Sequence, residues 1–212
     1  MHALIVVGHH DSTSLTHALA HQVASGLASA GHTSEIADLA AEGFDPRFSL
    51  ADHAVHRRLA APPADVLAEQ ARLQRADAVV LVYPIYWWSL PALLKGWVER
   101  VFSNGWAFDY YDDGRLIKKL QGMRVQLVGV AGADAGTFER HGYGAAMRVQ
   151  IEHGIFDYCG AQVLGSTLLA DSETLDPQVH LQAARALGAG VFNRPATTRP
   201  TASSAPCATH TG

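Results

Sequence analysis

Residues 1–31, MHALIVVGHHDSTSLTHALAHQVASGLASAG, decide the architecture. Ala3–Val7 is an unbroken apolar run closed by Gly8, the pattern of a strand buried on both faces in a parallel sheet. From Ser14 the period changes. Leu15, Leu19, Val23 and Leu27 fall four apart, a helical stripe ending at Gly31. The same alternation continues down the chain. Thr33–Asp38 reads as a second strand, residues 64–75 as a helix, and Ala78–Tyr83 (AVVLVY) as a third strand closed by Pro84. Residues 91–101 read as a helix opened by proline, 122–130 as a strand and 143–158 as a helix. Residues 161–169 read as a last strand and 176–188 as a final helix. Leu39–Pro63 lacks periodicity and reads as an irregular surface excursion. Strand and helix alternating about five times predict an α/β domain over residues 1–192: a doubly wound, five-stranded parallel sheet of order 2-1-3-4-5 with helices on both faces. Residues 193–212, rich in Thr, Ala, Pro and Ser, read as a disordered tail.

Composition narrows the function. The 212 residues carry 16 Lys+Arg against 20 Asp+Glu, a net charge of −4, with no basic footprint for nucleic acid. Two cysteines, Cys159 and Cys207, make neither a disulfide framework nor a CxxC metal site. The N-terminal apolar run is too short and uncharged for a signal peptide. No run of about eighteen apolar residues is present to span a membrane. A cytoplasmic protein without a metal is expected.

Three loops follow strands one, three and four. The first, Gly8–Thr16, sets four hydroxyl residues between a buried strand and a helix start. Hydroxyls and free N–H groups there suit a phosphate; they serve equally as a helix cap. It is neither a Walker A loop nor GxGxxG. The second, Tyr83–Pro91 (YPIYWWSLP), holds Tyr86, Trp87 and Trp88 between prolines. These suit a flat heterocycle, or else a hydrophobic plug or a dimer contact. In a sheet of order 2-1-3-4-5 these two loops flank the switch-point crevice, and a phosphate cradle beside an aromatic wall describes a flavin site. The third, Val130–Gly136, has small residues that let backbone approach a ligand edge; alone it is equally a plain turn. His17 and His21, i and i+4, have no third ligand nearby and read as a solvated helix face. His53 and His56 read as surface. A Ser14–His9–Asp11 triad is excluded by the absence of a GxSxG elbow and by proximity in sequence.

Residues 66–108, with AEQ, AD and YPIYWWSLPALLKGWVERVF in order, closely resemble the core of the NAD(P)H:quinone oxidoreductase (DT-diaphorase) family of flavodoxin-like flavoproteins. That family includes bacterial drug-activity modulators and the ancillary reductases of potassium efflux systems. Residues 159–164 (CGAQVL) carry the same likeness, which extends with gaps from about His2 to Leu187. The resemblance implies a cytoplasmic homodimer that binds FAD, or FMN, and uses NAD(P)H as co-substrate. It implies ping-pong transfer of a hydride through flavin N5 to a quinone. His9, Ser14, Leu15 and Thr16 would hold the ribityl and phosphate groups, and Gln70 would contact the flavin. Ile85, Tyr86, Trp87 and Trp88 would line its ring, with Ala131, Gly132, Ala133 and Asp134 at the pyrimidine side. Trp88, Phe108, Tyr110 and Phe138 would bind substrate, Phe108 and Tyr110 closing the neighbouring subunit's site.

The chain departs from the family at the loop after the fourth strand, where Val-Ala-Gly-Ala replaces Thr-Thr-Gly-Gly. The family's relay tyrosine and histidine fall on Phe138 and Gly144, and a small shift brings His141 or Tyr143 into their roles. Adenine-side contacts have no clear match, and FMN satisfies the same matched residues as FAD. The efflux-associated relatives supply the alternative: a flavin-bound regulatory subunit of a membrane cation efflux transporter, with the 39–63 excursion as its partner surface.

Overall fold

The computed structural model describes residues 1–193. Its main sheet comprises β1 (His2–Val7), β2 (Thr33–Asp38), β3 (Ala78–Pro84), β6 (Arg124–Val130) and β7 (Gln162–Leu169). All pairings are parallel, in the order β2-β1-β3-β6-β7, which is the expected 2-1-3-4-5 with two extra strands counted along the chain. Those extra strands, β4 (Phe108–Tyr110) and β5 (Leu116–Lys118), form a separate antiparallel hairpin.

Alternation along each buried strand feeds two cores. Ala3, Ile5, Val7, Val80 and Val82 face α1 (Leu15–Ser29) and α7 (Pro177–Gly190). Leu4, Val6, Val79 and Leu81 face α3 (Ala64–Arg75) and α4 (Ala92–Val101). Helices α1 and α7 lie backbone to backbone. A Cβ placed on Gly26 would sit 2.1 Å from the Arg185 carbonyl oxygen, and one on Gly188 2.2 Å from that of Val23.

The excursion is not irregular throughout: Leu50–His56 is a helix, α2, opened by a capping box between Ser49 and Asp52. The sequence carries that S-x-x-D signal, but no apolar stripe accompanies it. Arg100 of α4 pins the excursion from below. Its guanidinium bonds both Asp52 oxygens at 3.1 Å, the Asp65 carboxylate at 2.6 Å and the Asp45 carbonyl at 2.7 Å. The expected helix over 143–158 divides: α6 (Tyr143–Met147) passes into a π-helix over Arg148–Asp157. A short helix, α5 (Ala135–Arg140), precedes α6 across Gly142, which takes a positive φ of 71°. Among the described residues no helix is long and apolar enough to cross a membrane. The expected tail, Asn193 apart, and Cys207 lie outside the described residues.

Candidate active site

The loop after β1 is organised by hydrogen bonds. The Gly8 N–H donates to the Val82 carbonyl at 3.1 Å, tying the strand end to β3. Asp11 makes an Asx-type turn, accepting from the Thr13 N–H at 2.8 Å and the Thr13 hydroxyl at 2.7 Å. Those two bonds hold its carboxyl below the usual range. His9 accepts the Asp11 N–H on Nδ1 at 3.0 Å. Burial, then the neighbouring His10, keeps its pKa low and its ring neutral, as that bond requires. Ser14 caps α1. The N–H groups of Leu15 and Thr16 have no acceptor among the described residues, so the helix start offers free donors beside the Ser14 hydroxyl.

His17 is not on a solvated face. It is only 6% exposed and bridges two groups. Its Nδ1 lies 2.9 Å from Ser14 Oγ and its Nε2 2.8 Å from the Asp38 carboxylate, whereas His21 is exposed. Asp38 ends β2 and also accepts the N–H groups of Ala40 and Ala41. Burial raises its pKa, but the Ala41 and His17 bonds outweigh that and leave the carboxyl low. This series was legible in part. Ser14 and His17 occupy the N-cap and N3 positions of α1, and Asp38 ends a parallel strand at the edge where ligands bind.

The segment after β3 is built from rings and backbone strain. Tyr86 and Ser89 exchange backbone hydrogen bonds at 3.3 and 3.1 Å across Trp87 and Trp88, whose φ values are 49° and 60°. This is type I′ turn geometry, which favours Asn and Gly at both central positions. Two bulky residues in the left-handed region store strain. The Trp88 ring stacks on Tyr143 with centroids 3.9 Å apart and meets the edge of Phe138 at 5.4 Å. His141 stacks on Tyr143 in turn, at 5.3 Å. Trp87 is 92% exposed.

The loop after β6 faces this turn. The Ala131 N–H donates to the Leu169 carbonyl at 2.9 Å, and the N–H groups of Gly132 and Ala133 have no acceptor among the described residues. Ile85, Trp87, Trp88, Ala131, Gly132, Ala133 and Phe138 together line a cavity of about 150 Å³. The fold therefore gathers most of the expected ring-binding residues into one corner. Asp134 turns away to cap α5, accepting from the Thr137 N–H at 2.9 Å and its hydroxyl at 2.6 Å.

Three expected residues stand elsewhere in this chain. Gln70 is buried and donates to the Val101 carbonyl at 2.9 Å and to Ser103 Oγ at 3.2 Å. Phe108 lies against Tyr158 at 5.3 Å, and Tyr110 is half-exposed on the hairpin. Neither makes a ring contact with Trp88.

A parallel sheet with a phosphate-type helix start and an aromatic corner at its switch point defines a flavodoxin-type ligand-binding domain. A family model described as a flavodoxin-like fold matches residues 1–189, and the chain belongs to that family. The chain is 31% identical over 184 residues to the ribosyldihydronicotinamide dehydrogenase [quinone] of Pongo abelii, covering 76% of this chain and 78% of that protein. It is 34% identical over 120 residues to the glutathione-regulated potassium-efflux system ancillary protein KefF of Enterobacter sp. (strain 638), covering 54% of this chain and 65% of that one. The structure of an NAD(P)H:quinone oxidoreductase from Methanothermobacter marburgensis superposes with a TM-score of 0.80. The identity is 27%, with 89% of this chain and 98% of that one covered.

Proposed function

We propose that this protein is a flavin-dependent NAD(P)H:quinone oxidoreductase, active as a cytoplasmic homodimer. The observation that carries the reading is the corner shared by Ile85, Trp87 and Trp88 with Ala131–Ala133, set at the strand ends beside the free N–H groups of Leu15 and Thr16. The donor set fits a flavin: amides and hydroxyls for phosphate and ribityl, amides at Gly132 and Ala133 for the ring's oxygens, and an indole for its face. When bound, the flavin supplies the two-electron chemistry between NAD(P)H and quinone. FAD and FMN both suit these groups.

The chain's own residues bind and orient. Trp88, backed by Phe138 and Tyr143, forms a wall on which a nicotinamide or quinone ring stacks. Tyr143 and His141, the expected proton donors, stack in series behind Trp88 and hold its ring, so they orient the wall rather than reach a quinone on its free face. The cavity of about 150 Å³ is smaller than the roughly 300–1,000 Å³ typical of ligand sites. A second subunit would complete it, bringing Phe108 and Tyr110 to the opposite side. Exposed Phe48, Leu50 and Leu59 on the excursion, with Leu67 on α3, give an apolar surface for that contact.

The test is the visible spectrum under anaerobic conditions. A flavin band that bleaches with NADPH and returns with a benzoquinone supports the reading; a protein that takes up no flavin when offered FAD or FMN sinks it. Trp88→Ala should raise KM for both substrates about tenfold, the scale of a lost ring stack plus its buried area. Flavin retention should weaken less, and equal losses would remove Trp88 from the substrate wall. The partial KefF likeness favours one second reading, a flavin-bound regulatory subunit of a cation efflux transporter. Co-purification with a membrane antiporter would support it.

A further inference from the structure

The loop that would hold a flavin's phosphate has no permanent cation. The first Lys or Arg in the chain is Arg47, and residues 84–91 and 130–136 contain neither. Imidazole stands there instead. His9 and His10 stack at 4.6 Å, and His17 meets His9 edge-on at 6.1 Å.

Hydrogen-bond accounting fixes what His17 does in each charge state. Asp38 is ionised and can only accept, so the proton of a neutral His17 ring sits on Nε2, donated to Asp38 at 2.8 Å. Nδ1 is then bare, and the Ser14 hydroxyl must donate to it across 2.9 Å. The Ser14 hydroxyl proton is then turned inward. Protonating Nδ1 reverses the bond. Ser14 Oγ then accepts from Nδ1–H and from the His17 backbone N–H at 3.4 Å, and its own proton is free to point outward. One proton thus adds a positive charge and releases a donor at the same place.

We propose that the Asp38–His17–Ser14 series makes phosphate capture by this loop proton-linked, so that binding of a phosphorylated flavin draws a proton onto His17. His17 is a positioning residue here; Ser14 and the Leu15 and Thr16 amides touch the anion. The groups facing His17 are Asp38 from β2, Ser14 from its own helix start and His9 from the loop. Asp11 and His10 stand beyond His9. β3 carries no titratable group near its loop end other than Tyr83, on the opposite face of the sheet, and β1 has only His2 at its far end. Of the helix packed on α1, α7, Arg185 bonds Ser25 two turns further along and His180 is buried. Burial and the neighbouring His10 hold the His9 pKa low.

The inference rests on the flavin reading above, and binding measurements separate the two. Dissociation constants of riboflavin, FMN and FAD are measured by flavin fluorescence quenching between pH 6 and 8. Linkage sets the sign: if binding takes up a proton, affinity grows as pH falls and levels once the free protein already carries that proton. FAD is the deciding probe, since a phosphate monoester such as FMN itself protonates near a pKa of about 6. The expected result is FAD affinity rising toward tenfold per pH unit at its steepest while riboflavin stays flat. His17→Gln should flatten the FAD profile, and Asp38→Asn should move it to lower pH. A flat FAD profile in the unmutated protein, or a slope that persists in His17→Gln, overturns the linkage while riboflavin binding keeps the flavin reading. Failure of all three to bind at any pH overturns both.

Discussion

The two faces of the sheet are held by different physics. Behind β1 and β3, α1 and α7 meet through glycines, and the packing is almost wholly apolar: Leu19, Val23, Leu27, Ala184 and Leu187 close on the strands. In front, α3 and α4 bury charge. Arg100 reaches Asp52 and Asp65, and Arg72 bonds Glu35, Glu42 and Glu69, while the Trp97 indole N–H also donates to Glu69 at 2.8 Å. The apolar face needs only shape, so it can be close-packed by two long helices. The charged face instead anchors the excursion and α3 against the C-terminal half of α4, through Trp97 and Arg100. Polar anchors fix direction as well as distance, which positions a loop in a way that apolar contact does not.

The sharpest way to break this contrast is Arg100→Met. Asp52 is 4% exposed, and without the guanidinium its charge keeps only the bonds from Ser49. Removing one partner of a buried pair costs about 3–5 kcal/mol. The expected outcome in urea unfolding is a lower midpoint of that size, with amide exchange rising first over α2. A loss below about 1 kcal/mol, the scale of an exposed pair, would mean that apolar packing holds both faces alike.

Gly26→Ala attacks the other face and should cost less. Its Cβ would lie 2.1 Å from the Arg185 oxygen and 2.8 Å from the Ala189 nitrogen, both backbone, so the helices must part. Overpacking costs about 1–3 kcal/mol, offset by about 1 kcal/mol of helix propensity. A net loss of up to about 2 kcal/mol, read by thermal unfolding, is expected. Gly122→Ala, where a Cβ meets nothing within 4 Å, should be near neutral by the same measurement. A Gly26→Ala loss larger than that of Arg100→Met would reverse the ranking of the two faces.

What the sequence made legible follows the same division. The sheet and its order came from runs such as ALIVV and AVVLVY, because strands buried on both faces must be apolar throughout. The loops of the site came from residue chemistry at strand ends, and Ile85, Trp87, Trp88 and Ala131–Ala133 do converge. The close approach at Gly26 and Gly188 left no mark, since a glycine in a helical stripe is silent about its neighbour. The α2 helix and the β4–β5 hairpin were missed because each is too short to show a period. His17 was misread because its partner Asp38 is brought from β2 only by the fold. The left-handed backbone at Trp87 and Trp88 contradicts residue preference outright, as sites under functional constraint do.

That contradiction gives the smallest and most discriminating prediction. Trp87 holds φ 49° yet is 92% exposed, so its ring contributes little packing to set against the strain. The left-handed conformation costs an ordinary residue roughly 1–2 kcal/mol, and Asn tolerates it better. Trp87→Asn should therefore raise stability by about 0.5–1 kcal/mol while turnover with NAD(P)H and quinone falls. A protein selected for stability alone would carry Asn or Gly at this turn, as the type I′ geometry invites. If the variant gains stability and keeps its full turnover, the indole plays no part in holding the flavin ring and the strain has another cause. If it loses both, Trp87 belongs to the packing of the turn, and the aromatic corner is held from both sides rather than from Trp88 alone.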